Sequence, residues 1–214
     1  MANDSMEITL RNISKRYLYD WIFRGIDFQF QAPTRYAVLG SNGSGKSTLL
    51  KILSGHLSPT KGSIEFRLDG TIINRDDIYQ QVSFASPYID LIEEFTLTEA
   101  VAFHQKFKPF YDNLSIKDFL QQIELEAAKD KPVRFFSSGM KQRLKLGLAI
   151  CSNTQLLLLD EPTATLDEKS VAWFHHLLEQ YAHQRLIIIA SNEERDVISC
   201  QKRLSILDYK KRPK

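Results

Sequence analysis

The chain has 214 residues, 43% of them hydrophobic, which suits one domain with a sizeable core or one domain carrying an insertion. Its 28 Lys and Arg against 26 Asp and Glu leave a formal charge of +2, so bulk electrostatics give no case for binding nucleic acid. The two cysteines, Cys151 and Cys200, lie outside any Cys-x-x-Cys and point to a reducing compartment rather than a disulfide framework.

The polar start, Met1-Ala-Asn-Asp-Ser5, predicts no signal peptide. Strands are expected over 7–10, 23–30, 36–39 and 63–67, a helix over 46–54 closed by Gly55, and a short strand over 82–85. From Pro87 to about residue 153 the pattern turns helical, with helices expected over 98–108, 115–125 and 138–151. A strand follows over 156–160, then a helix over 168–183 whose Val171, Phe174, Leu178 and Tyr181 share one apolar face. Strands over 186–190 and 203–207 close the chain. The apolar runs at 156–159 and 186–190 suit buried parallel strands. They are far shorter than the roughly 18 residues of a membrane span. This order implies an α/β fold: a largely parallel core sheet, an N-terminal antiparallel β portion, and a helical subdomain at about 87–153 inserted into a single domain over 1–214.

Between the third strand and the first helix lie Gly40, Ser41, Asn42, Gly43, Ser44, Gly45, Lys46, Ser47 and Thr48, which fit G-x-x-x-x-G-K-[ST]. A glycine-rich turn can match that pattern by chance, but the strand before it and the helix after it are the context a P-loop NTPase requires. Backbone N–H groups of such a loop cradle a di- or triphosphate at a helix N-terminus. Lys46 then reaches the β- and γ-phosphates and the Ser47 hydroxyl ligates Mg²⁺. The second motif is the run Leu156 to Leu159 followed by Asp160, Glu161 and Pro162. On its own it is a strand ending in an acidic turn. Beside a phosphate loop, Asp160 is the second holder of Mg²⁺ and Glu161 a group able to polarise a water.

Between these motifs stands Phe136-Ser137-Ser138-Gly139-Met140-Lys141-Gln142-Arg143. Read without relatives, it is an N-cap before a helix. Together with the two motifs it resembles the signature of the nucleotide-binding domain of ATP-binding cassette (ABC) transporters, L-S-G-G-Q and a basic helix. Ser137 and Gly139 match; Phe136, Ser138 and Met140 depart. The resemblance runs from about Ile8 to Leu207 and takes in Thr165-Leu-Asp167, similar to the loop that crosses to the partner subunit, and Tyr17, similar to the ring that stacks on adenine. Tyr19 and Trp21 stand close enough to be alternatives for that ring.

The resemblance implies an ATPase that powers transport, with ATP and Mg²⁺ as cofactors. A second copy or a paralogous subunit would supply Ser137 and Gly139 to the γ-phosphate in trans, and an integral-membrane subunit would be the working partner. It also implies a cytoplasmic location, peripheral on the inner face of the cell membrane, and a coupling surface around 87–98. The compact cassette leans towards export. Two departures bear on rate. The family's usual glutamine falls at Pro87, beside Ser86, and its usual histidine at Asn192, which can hydrogen-bond the γ-phosphate but cannot become cationic near neutral pH. These departures favour a rival reading, a nucleotide-gated dimerisation module with little turnover; the retained Glu161 opposes it. A cassette acting on nucleic acid or the ribosome is disfavoured by the short chain and balanced charge. A small-molecule kinase leaves Ser137–Gly139 unexplained. The five histidines (His56, His104, His175, His176 and His183) offer no shared ligand geometry, since neighbours on a helix point about 100° apart. The basic cluster Lys210–Lys214 reads as a solvated tail, with contact to anionic lipid headgroups the weaker alternative.

Overall fold

The computed structural model describes residues 5–182 and 184–210. Met1 to Asp4, His183 and residues 211–214 lie outside them, and with them most of the polar start and most of the basic tail.

Two units make up the chain. The first comprises Met1–Phe84, Gln155–Glu161 and Gln184–Lys214. It opens with β1 (Met6–Tyr17) and β2 (Asp20–Gln31), then β3 (Arg35–Leu39), α1 (Lys46–Leu53), β4 (Lys61–Leu68), β5 (Thr71–Ile73) and β6 (Val82–Ala85). It ends with β7 (Leu156–Asp160), β8 (Leu186–Ala190), a short helix (Glu194–Val197), and β9 (Lys202–Ser205) running into a 3₁₀ turn (Ile206–Tyr209). Sheet order is β2-β1-β4-β5 in one sheet and β6-β7-β8-β3-β9 in the other. β1, β2, β4 and β5 pair antiparallel. β3, β7, β8 and β9 pair in parallel, so the α/β reading holds, with the antiparallel portion at the N-terminal side.

The alternating burial of β1, with Met6, Ile8 and Leu10 inward, gives the antiparallel sheet one apolar face. β7 and β8 are buried at every position, as expected of central parallel strands. The antiparallel face, α1 and β7–β8 share one hydrophobic core that includes Phe23, Phe30, Phe66, Leu50, Leu158 and Ile188.

The second unit comprises Ala85–Thr154 and Pro162–His183. It contains α2 (Leu97–Gln105), α3 (Ile116–Gln122), α4 (Ser138–Cys151) and α5 (Glu168–Tyr181), besides short 3₁₀ turns. It therefore takes in α5 as well as the 87–153 stretch marked by the sequence. The reason is packing: the Trp173 indole donates to the Gln122 carbonyl, and the Arg143 guanidinium of α4 donates to the Ser170 hydroxyl of α5. The buried face of α5 is Ser170, Trp173, Phe174, Leu177 and Leu178, while Val171 and Tyr181 flank it half-buried. α4 is closely approached at Gly147, where a Cβ would lie 2.3 Å from Ile123 Cγ2.

Candidate functional site

Within the first unit the glycine-rich loop joins the buried strand β3 to α1. Its last glycine, Gly45, has φ +109° and caps α1. A Cβ there would lie 2.4 Å from Ile22 Cγ2 and 3.2 Å from Phe23 Cδ1, so both the backbone angle and the packing of β2 demand glycine. Gly43 at φ +71° turns the outer part of the loop, where a Cβ would meet nothing within 4 Å. Ser44 N–H donates to the Ser41 carbonyl and closes the loop. Its hydroxyl is buried against Gly40 and makes no hydrogen bond in the protein. Ser41 and Asn42 are exposed; Ser47 and Thr48 are half-buried in the first turn of α1.

Lys46 is 5% exposed. Its ammonium donates to the Gly40 carbonyl at 2.8 Å and the Ser41 carbonyl at 3.5 Å, and pairs with Glu161 Oε1 at 3.1 Å. The two sequence motifs, 115 positions apart, thus meet at one cation. Register explains why. β7 and β8 align Asp160 with Ala190, Glu161 N–H donates to the Ala190 carbonyl, and Ser191 N–H donates to the Val38 carbonyl of β3. Asp160 is buried to 1% at the end of β7, and Glu161 leaves the strand with φ +48°, a left-handed angle rare outside glycine.

The residue in the family's histidine position, Asn192, is exposed just beyond β8. It sits in a tight turn. Buried Ser191 accepts from Glu193 N–H at 3.0 Å and donates to buried Asp196 at 2.5 Å. Tyr17 ends β1 opposite Asp20, half exposed at 47%, with Lys15 Nζ 5.2 Å from its ring. Tyr19 is almost wholly exposed. Trp21 instead carries Arg24, Arg16 and Lys61 at 4.5, 5.6 and 5.9 Å from its ring. Lys210, read from sequence as part of a solvated tail, is exposed but reaches the Gly43 carbonyl at 3.4 Å.

In the second unit, Ser137 caps α4: its hydroxyl accepts from Met140 N–H at 3.2 Å. Ser137 and Ser138 are exposed, Gly139 half-buried. Ser86 is buried and its hydroxyl accepts from Tyr88 N–H, while exposed Pro87 offers its carbonyl to Lys145 Nζ at 3.1 Å. Asp167 caps α5 through Ser170 N–H, and that bonding with Ser170 holds its carboxyl below the usual range.

An alignment profile described as "ABC transporter" matches residues 23–164. The chain is 34% identical to an ABC transporter ATP-binding protein of Bacillus subtilis, YybJ, over 90% of this chain and 88% of that one. The chain belongs to the ABC transporter ATP-binding family. ABC ATP-binding subunits are ATPases, and this chain is one by membership. It is 30% identical to the lantibiotic transport ATP-binding protein SrtF of Streptococcus pyogenes, over 86% of this chain and 79% of that one. The fold is that of a putative ABC transporter ATP-binding protein from Pyrococcus furiosus, with TM-score 0.80, 24% identity and coverage of 96% and 100%. Part of a bacterial Atm1-family ABC exporter, solved with ATP bound, has the same fold, with TM-score 0.80, 20% identity and coverage of 96% and 38%.

The site fits the polyphosphate of ATP on its own terms. It has a buried lysine, a loop whose helix-capping glycine admits no side chain, an unpartnered hydroxyl in the loop, and a helix N-terminus. The oxygen donors Ser47 and Asp160 are of the hard type that Mg²⁺ prefers. The contact between Lys46 and Glu161, the Ser191–Asp196 bond in the turn around Asn192 and the reach of Lys210 had no sequence signal. Each depends on side chains far apart in the chain or on a hydroxyl whose partner the sequence does not reveal.

Proposed function

We propose that this chain is the ATP-hydrolysing subunit of an exporter, working on the inner face of the cell membrane with an integral-membrane partner. No helix among the described residues is long and apolar enough to cross a membrane, and we assign the path for the substrate to the integral-membrane partner. The observation that carries the reading is the meeting of Lys46 and Glu161 at 3.1 Å beside buried Asp160. A lysine, a carboxylate and a buried acid so close together support the roles of phosphate-binding cation, proton acceptor and metal ligand.

Lys46 exchanges the carboxylate of Glu161 for nucleotide phosphate, and Glu161 is then free to accept a proton from an attacking water. Ser47 and Asp160 would hold Mg²⁺, which would neutralise charge on the phosphate oxygens. Asn192 donates a neutral hydrogen bond to the γ-phosphate, and Tyr17 stacks on adenine. Ser137 and Gly139 of a second copy, or of a paralogue, close the site from the other side. The exposed apolar side chains Tyr88, Ile89 and Ile92 suit the contact with the membrane partner. Export is supported by the lantibiotic transport relative and the exporter fold.

One observation favours slow turnover, with the dimer acting mainly as a nucleotide-gated clamp. Ser86 and Pro87 are engaged with Tyr88 N–H and Lys145 and have no side chain able to reach a metal. Lys46→Ala tests the site common to both readings, and Glu161→Gln separates them. Lys46→Ala loses most ATP affinity by calorimetry; unchanged affinity sinks the site. Glu161→Gln binds ATP, hydrolyses it far more slowly, and accumulates an ATP-bound dimer by size exclusion. Equal slow rates for wild type and Glu161→Gln mean that Glu161 is not the base.

A further inference from the structure

Asn192 is exposed, yet a side chain that contacts a transferring phosphoryl group needs a fixed direction. Exposure alone leaves an asparagine free to sample rotamers. What fixes its backbone is a small buried network that no sequence motif marks. Ser191 is wholly buried and Asp196 is 1% exposed, although the residues between them are all exposed. The Ser191 hydroxyl donates its hydrogen to Asp196 Oδ2 at 2.5 Å. That leaves its lone pairs turned towards the chain, where Glu193 N–H donates to it at 3.0 Å. Asp196 N–H in turn donates to the Glu193 carbonyl at 3.1 Å. Asn192 is the residue enclosed by these bonds. On its other side Ser191 N–H is tied to the Val38 carbonyl, two residues before the first glycine of the nucleotide loop.

A lone serine hydroxyl rotates to suit whichever neighbour is offered. A buried side-chain oxygen that accepts the hydroxyl hydrogen removes that freedom, because it dictates where that hydrogen points. We infer that Asp196 is a positioning residue for ATP hydrolysis: through Ser191 it fixes the turn that aims Asn192 at the γ-phosphate. The inference rests on the reading of Asn192 given above. Asp196 itself touches no substrate.

The test is steady-state ATPase activity at saturating ATP, with thermal unfolding measured alongside, for Asp196→Ala, Ser191→Ala, Asp196→Asn, Asn192→Ala and the double variant Asp196→Ala/Asn192→Ala. Asp196→Ala and Ser191→Ala lower turnover roughly fivefold, the scale of one lost hydrogen bond, with KM for ATP little changed. Asp196→Asn keeps an acceptor for the Ser191 hydroxyl and restores most of the rate. In the Asn192→Ala background, Asp196→Ala lowers stability as before but takes nothing further from turnover. If Asp196→Ala slows both backgrounds equally, its role is structural only and the inference fails. It fails too if Asp196→Ala turns over at the wild-type rate, or if Asn192→Ala does. Should Asp196→Ala not fold, Ser191→Ala carries the same comparison, since it removes only one oxygen. A wild type with no turnover at all defeats the functional reading instead, and is told apart by that.

Discussion

Removing the negative charge at position 161 should tighten the binding of ADP. The Lys46 ammonium has its donors filled by the Gly40 and Ser41 carbonyls and by Glu161 Oε1 at 3.1 Å. A phosphate that takes Lys46 must displace that carboxylate. Exposed ion pairs contribute roughly 0.2–1 kcal/mol, while losing one partner of a buried pair costs about 3–5 kcal/mol. Lys46 is 5% and Glu161 27% exposed, so the pair lies between, at about 1.4 kcal/mol, a tenfold change in affinity. Calorimetry with ADP and no Mg²⁺ reads this without involving hydrolysis or a γ-phosphate. Glu161→Gln should bind ADP about tenfold more tightly than wild type. Simple repulsion between Glu161 and the nucleotide predicts the same sign, so Glu161→Asp is the deciding variant. It keeps the charge but draws it back by one methylene. Competition for Lys46 predicts that Glu161→Asp also binds ADP more tightly; repulsion predicts no gain. Wild-type affinity in both variants would refute the exchange.

His104 of α2 should make the helical unit acid-sensitive. Burial, and then the charge of Lys108, push it down to about 4 from 6.5, against a smaller opposing hydrogen bond to Leu148. The unfolded chain therefore takes up the proton first, and the stabilisation present above about pH 6.5 is lost as pH falls towards 4. Urea unfolding should show wild type losing about 2–3 kcal/mol more than His104→Asn between pH 7 and pH 4.5; parallel pH profiles would exclude the effect. Gly147→Ala gains about 1 kcal/mol of helix propensity but forces a methyl to within 2.3 Å of Ile123 Cγ2, for a net loss of about 1 kcal/mol in thermal unfolding. A more stable variant would show that Ile123 yields. Tyr17→Ala should weaken ATP binding several-fold while Trp21→Ala leaves it unchanged, since the Trp21 ring already faces three cations. The reverse result would move the adenine platform to Trp21.

The elements that could be read correctly were those in which one physical signal dominates. β6, α4, β7 and β8 begin and end where the apolar runs and the Ser137 cap say they should. β1 and β2 extend well beyond the short apolar stretches at 7–10 and 23–30, because their bulged, half-exposed ends are held by cross-strand pairing that local composition does not report. β5 escaped notice as three residues with no buried position, though Asp69-Gly70 before it is a hairpin signal. On α5 the apolar residues satisfy two overlapping faces, and tertiary packing chose the one centred on Trp173 and Phe174. The phosphate loop was legible because glycine, strand and helix must coincide there. The ion pair between Lys46 and Glu161, and the clamp around Asn192, were not, since each is decided by where β3, β7 and β8 bring their ends together.

Ser137 shows how narrowly chemistry can constrain a position that folding leaves open. Its oxygen accepts the Met140 N–H through a lone pair, so the hydroxyl hydrogen is left over for a partner beyond the helix. Aspartate and asparagine cap a helix as well as serine does. An aspartate would stabilise α4 yet present a negative charge where the proposed contact with the γ-phosphate of a second subunit would be made, and an asparagine would place its donor a bond further out. Only a short hydroxyl can hold the first turn with one side of the oxygen and offer a hydrogen with the other. The helix would tolerate several residues at 137; an assembled nucleotide site would tolerate very few.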